Sequence, residues 1–137
     1  MLARLMQRRA RLAGEGGFTL IELLVVIVII GILLAIAVPS YLGFRDRAND
    51  SAAKANIRAA VPSAEAWYAD NGSYTGMTVN QLKLSYDSGL KTTGSHPVTL
   101  PAASVTASTY CFQATGATGN NFHFSGPGGE VTTGACP

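Results

Sequence analysis

Few side chains in this sequence are placed to do chemistry, and the first that stands out is a carboxylate in an apolar setting. Between Phe18 and Val38, Glu22 is the only charged residue and Thr19 the only other polar side chain. At 1.5 Å per residue this segment makes about 30 Å of helix, the thickness of a bilayer's hydrocarbon core. A carboxylate costs about 2.5–3.5 kcal/mol at the centre of such a span, so Glu22 calls for a partner cation. Cys111 and Cys136 lie outside any metal-type spacing. In a chain exported across a membrane they read as one disulfide, and the chain-entropy account gives such a closure about 3–4 kcal/mol. His96, in a loop before Pro97, reads as a solvated side chain. His123 belongs to an alternating run and should point away from the core. The chain contains no G-x-S-x-G, Walker loop or H-E-x-x-H, and Asp87 and Glu130 are too isolated in sequence for a calcium loop. The sequence therefore suggests no catalytic residue, no metal and no cofactor, and the chain does not read as an enzyme.

The charge is as uneven as the hydropathy. Arg4, Arg8, Arg9 and Arg11 precede Gly17, opposed only by Glu15. Beyond Gly17, six basic residues face seven acidic ones, so the formal charge of +2 belongs to the leader. A near-neutral remainder argues against a direct nucleic-acid site. Basic residues just ahead of an apolar helix stay cytoplasmic, which predicts a single pass with the N-terminus inside. A secretory signal peptide, cleaved after Ala35-Ile36-Ala37, would have an apolar core of about 7–15 residues. This segment is longer and carries Glu22. On physical grounds alone, two readings stay open: a plain signal anchor with Glu22 snorkelling to the surface, and a more specific role for Glu22.

The elements that must position these residues follow in order. After Pro39, two apolar stripes recur at helical spacing. One is Tyr41, Phe44, Ala48, Ala52, Ala55 and Ala59; the other is Ile57, Val61, Ala64 and Tyr68. They predict an amphipathic helix over 40–70, Ala-rich enough for close packing on a sheet or on other helices. Asp50 and Lys54 stand at i, i+4 as an ion pair. Pro62 predicts a kink or break near Arg58. Trp67 and Tyr68 read as core anchors, and Asn71-Gly72 as a left-handed helix end. Residues 71–97 form a loop with one short helix, announced by the capping box Thr78-Val79-Asn80-Gln81. Residues 98–137 read as an antiparallel meander of three or four strands. Val98–Leu100 and Ser104–Ala107 are weak extended pieces, Thr109–Thr115 the clearest strand, Phe122–Phe124 the next and Glu130–Thr133 the last. Tyr110, Phe112, Phe122 and Phe124 should pack on the helix.

Gly17-Phe18-Thr19-Leu20-Ile21-Glu22-Leu23-Leu24-Val25-Val26, with a basic leader before it and Pro39 after it, resembles the class III signal of the type IV pilin superfamily. The match is strong over residues 8–45 and weaker beyond. The resemblance implies an α+β pilin fold, with a long N-terminal helix, half of it transmembrane, packed on a small antiparallel sheet. Residues 1–17 would be a removed leader, 18–39 the transmembrane and assembly helix, and 40–137 the globular domain. It also implies that a prepilin peptidase cuts between Gly17 and Phe18 and that the new Phe18 amine is N-methylated. Glu22 would compensate the Phe18 amine of a neighbouring subunit. The helix from Gly31 to Pro39 would be able to unwind within a filament. Elementary physics is consistent with each assignment. Glycine leaves a protease room at the backbone, an ion pair in a dry interior is useful only when both partners are present, and Gly31 and Pro39 weaken an otherwise stiff helix. The implied function is that of a filament subunit, a homo-oligomer held in the inner membrane until the pilus machinery assembles it into an extracellular pilus for adhesion, motility or DNA uptake. A pseudopilin of a type II secretion or competence system is the alternative, and a monomeric membrane-anchored binding domain is a third reading.

Overall fold

The structure, a computed structural model, describes residues 17–137. The basic leader, apart from Gly17, therefore lies outside the described residues. The elements are α1 (Leu20–Asn71), α2 (Val79–Ser85), β1 (Tyr110–Thr115), β2 (Asn121–Gly126) and β3 (Val131–Thr133). The described residues divide into two units, parted between Tyr41 and Leu42.

In the first unit, the large apolar side chains from Phe18 to Val38 are all exposed. This part of α1 is long and apolar enough to cross a membrane. Water is a poor solvent for so continuous an apolar surface, so lipid or other protein must cover it.

In the second unit, Ala53, Ile57, Ala60 and Ala64 form the buried stripe of α1. Their spacing of four, three and four residues keeps them on one face. The core they join holds Tyr110, Phe112, Ala114, Phe122 and Phe124 from the sheet, and Tyr74, Met77, Leu82, Leu90 and Val98 from the connecting segments. To this shared core the helix contributes mainly small side chains and the sheet large aromatic ones. The sheet is a plain antiparallel meander, β1-β2-β3. Its register sets Phe112 opposite Phe124 and Ala114 opposite Phe122, which places the expected aromatics on one face. The first apolar stripe, Tyr41 to Ala59, is exposed throughout.

Several expectations need correction. Of the kink or break expected near Arg58, the break does not occur: the helix is continuous through Pro62. Pro62 and Arg58 are both exposed, so the carbonyl that Pro62 leaves without its N–H can take water, while Ile57, Ala60 and Ala64 hold the flanking turns on the core. Tyr68 is not a core anchor: it is 41% exposed and lies on the Tyr74 ring at 4.7 Å. Trp67 packs against the core from its edge and donates its indole N–H to the Ser73 carbonyl at 3.0 Å. Residues 98–107 add no strand. Thr99 makes one isolated bridge to Gln113, and Ala102–Ser104 is a 3-10 turn. Pro101 has no N–H for a ladder, Ser104 Oγ donates to the Pro101 carbonyl at 2.7 Å, and Thr106 Oγ1 accepts the Thr109 N–H at 2.9 Å. Local side-chain bonds here displace sheet pairing.

Other expectations hold. Gly72 follows the last helical residue with φ of 68°, and Gly72 N–H bonds the Tyr68 carbonyl at 2.7 Å. Thr78 caps α2 by accepting the Gln81 N–H at 3.3 Å. The Gln81 side chain accepts the Thr78 hydroxyl at 2.8 Å rather than reaching the backbone.

Candidate functional site

The chemistry of the first unit is concentrated at the start of α1. Thr19 precedes the first helical residue, and Glu22 occupies the third helical position. Thr19 Oγ1 accepts the Glu22 N–H at 3.3 Å. In return, Glu22 Oε2 accepts the Thr19 backbone N–H at 2.8 Å and the Thr19 hydroxyl at 2.7 Å. This is a reciprocal capping box, with two of the helix's orphan N–H groups satisfied. The carboxylate also lies where the helix dipole favours negative charge. Glu22 is therefore not a bare charge on an apolar helix. The signal Thr-x-x-Glu stands openly in Thr19-Leu20-Ile21-Glu22, a capping-box pattern set inside an apolar run.

Gly17 and Phe18 precede this cap, while Gly31 and Pro39 lie further along α1. Phe18 is 88% exposed and stands immediately before Thr19, with Gly17 next to it. A Cβ added at Gly31 would meet nothing within 4 Å, so that face of the helix is open to a close neighbour. Pro39 lies within α1, in unbroken helix.

In the second unit the two cysteines are joined, linking β1 to the last residues of the chain. The Cys136 N–H donates to Gln113 Oε1 at 3.0 Å. His123 holds the same tail, its Nδ1 donating to the Gly134 carbonyl at 3.1 Å and its Nε2 meeting Thr132 Oγ1 at 3.2 Å. It faces away from the aromatic core, as expected, but serves to fasten the C-terminus. His96 departs from expectation. It is half-buried, donates Nδ1–H to the Thr115 carbonyl at 2.7 Å, and accepts Asn56 Nδ2–H on its own carbonyl at 2.9 Å. It clips its loop to α1 and β1.

Two carboxylates, Glu65 and Asp50, join distant elements. Glu65 accepts the Tyr110 hydroxyl at 2.8 Å on one oxygen and the Tyr74 hydroxyl at 3.0 Å on the other. Burial, and then Glu65, push Tyr74 up to about 12, and the same causes in the same order raise Tyr110. Asp50 does not pair with Lys54. It accepts the Ala117 N–H at 2.8 Å and Asn120 Nδ2–H at 3.3 Å, while Lys54 Nζ sits 4.6 Å from the centre of the Phe122 ring. Among the described residues, no group of three or more His, Cys, Asp or Glu is placed to hold a metal ion.

Residues 12–38 match the family model of the prokaryotic N-terminal methylation motif. The type IV wide pilus major component PilA4 of Thermus thermophilus is 44% identical over 98 residues, which is 72% of this chain and 71% of that protein. This chain belongs to the type IV pilin superfamily. Within the superfamily, the type IV major pilin protein PilA of Myxococcus xanthus is 42% identical over 59 residues, 43% of this chain and 27% of its own length. The type II secretion system core protein G of Pseudomonas aeruginosa is 42% identical over 69 residues, 50% of this chain and 46% of its own. The chain thus spans less than half of these last two relatives. No solved structure matches it. The α+β arrangement of an apolar N-terminal helix and a three-stranded antiparallel sheet is that of a pilin.

Proposed function

We propose that the chain is a structural subunit of a type IV pilus filament and has no catalytic role. The observation that carries this is the exposed apolar surface of Phe18 to Val38 on a chain whose other unit has a closed core of its own. Such a segment has two good solvents, the bilayer and the same segment of other copies. The subunit waits in the inner membrane, N-terminus in the cytoplasm, and moves from the first solvent to the second on assembly into an extracellular homo-oligomeric filament. Processing comes first. A prepilin peptidase removes residues 1–17 by cutting between Gly17 and Phe18, and the new Phe18 amine is N-methylated. Glu22 then meets the Phe18 amine of a neighbour, which fixes register, since a charge pair in a dry interior stands only with both partners present. Gly31 to Pro39 is the stretch that unwinds to fit the filament. Support for a pilus component comes from the match to PilA4, which covers more of this chain than the match to a secretion core protein.

The second reading is a pseudopilin of a type II secretion or competence system, favoured by the core protein G match. Electron microscopy of fibres sheared from the cell surface separates the two. Long surface fibres that vanish on deletion of this chain and contain it support the pilus. Fibres unaffected by the deletion, with secretion lost instead, overturn it.

A further inference from the structure

The cap at the start of α1 changes the problem that Glu22 poses. Both donors from Thr19 converge on Oε2. Oε1 accepts no hydrogen bond among the described residues, so the carboxylate is half satisfied by its own chain and keeps one oxygen for a second partner. The box also restricts the side chain. A glutamate has three rotatable bonds, and a carboxylate bound to two donors on one residue, three positions back, loses most of that freedom before any partner arrives.

We propose that Thr19 is the positioning residue of assembly, holding the Glu22 carboxylate against the first turn of α1 so that Oε1 is offered at a fixed place to the incoming Phe18 amine. This rests on the reading of Glu22 as the partner of that amine. The hydroxyl has two tasks that no apolar residue of the same shape performs: it accepts the Glu22 N–H and donates to the carboxylate. In the bilayer, the same bonds replace water around the carboxylate, so the charge travels with solvation that its own chain supplies. On assembly the amine adds to Oε1 and the Thr19 donors stay on Oε2, so nothing has to be broken for the intersubunit pair to form.

The test compares Thr19→Val, which keeps the β-branched shape and loses the hydroxyl, with Thr19→Ser, which keeps the hydroxyl, and with Glu22→Ala, all in the full chain in the assembling cell. The readout is the amount of sheared filament relative to the processed pool in the membrane. We expect Thr19→Val to lower that ratio about five-fold, the loss that one N-cap implies. Thr19→Ser should stay near the wild-type ratio, and Glu22→Ala should lose filaments. Full assembly of Thr19→Val with loss in Glu22→Ala overturns the positioning role and leaves the Glu22 reading intact. Full assembly of both overturns both. Should Thr19→Val fail to reach the processed pool, amide exchange decides, measured on the mature chain in phospholipid nanodiscs. Slow exchange at Thr19 that becomes fast in Glu22→Ala supports the box, and equally fast exchange in both overturns it.

Discussion

The Asp50 carboxylate on α1 accepts the backbone N–H of Ala117, 2.8 Å away in space and 67 residues away in sequence. Its other oxygen takes the Asn120 side-chain amide, so one helical side chain holds both ends of the tight connection between β1 and β2. Asp50→Ala leaves those donors unpaired and should destabilise the chain by about 1–3 kcal/mol. Denaturant unfolding of the detergent-solubilised chain measures this. A loss no larger than that of Asp46→Ala would show that the bonds are dispensable.

Gly126 is opposite Tyr110 in the β1–β2 register, and the Tyr110 ring lies where a Cβ would project. Any side chain there must displace a ring that also bonds Glu65 and packs 5.1 Å from Phe112. Gly126→Ala should cost about 1–3 kcal/mol, the range for overpacking a core. The same unfolding measurement applies, with Gly128→Ser excluded as a control because Gly128 has a positive φ. A near-neutral Gly126→Ala would mean that the ring moves freely.

The fold should be alkali-sensitive in a defined window. Burial and the Glu65 carboxylate raise Tyr74 to about 12, and raise Tyr110 as well, above the ordinary phenol value of 10.0. Because the folded value exceeds the unfolded one, this stabilisation is fully present below pH 10 and fades as pH rises from about 10 through about 12. Ultraviolet titration of tyrosinate should show Tyr74 and Tyr110 ionising late, together with unfolding. In Glu65→Ala, Tyr74 should ionise earlier. Late ionisation unchanged in that variant would leave burial as the only cause.

Reduction of the Cys111–Cys136 bond frees the C-terminal tail from β1. The chain-entropy account gives a loss of about 3–4 kcal/mol for a loop of this length. His123 and Gln113 still hold the tail at Gly134 and Cys136, so part of the structure should survive reduction. Unfolding with and without reductant measures the difference. Equal stability in both would show that these hydrogen bonds suffice.

What could be read in advance was what local chemistry decides. The apolar segment, the Gly72 helix end, the Thr78 cap and the alternation of Tyr110, Phe112, Phe122 and Phe124 each need only neighbours in sequence or a simple period. Asp50 misled because an i+4 lysine is visible in sequence and a loop N–H 67 residues on is not. The His96 clip and the two phenols on Glu65 are hidden for the same reason, since only the fold brings them together. Residues 98–107 looked extended because β-propensity ignores competition from Ser104 and Thr106 hydroxyls for the backbone. The Thr19–Glu22 box is different. It was local and legible, but a glutamate in an apolar run directed attention to a distant cation, although the first two donors stood three residues away.

The central claim concerns what the cell does at Gly17 and where the product goes. Intact-mass spectrometry of this chain from sheared surface fibres tests it most directly. The expected result is a single species beginning at Phe18, one methyl group heavier than the unmodified residues 18–137, with Cys111 and Cys136 oxidised. A chain still carrying Met1 to Gly17, or one beginning elsewhere, would contradict it.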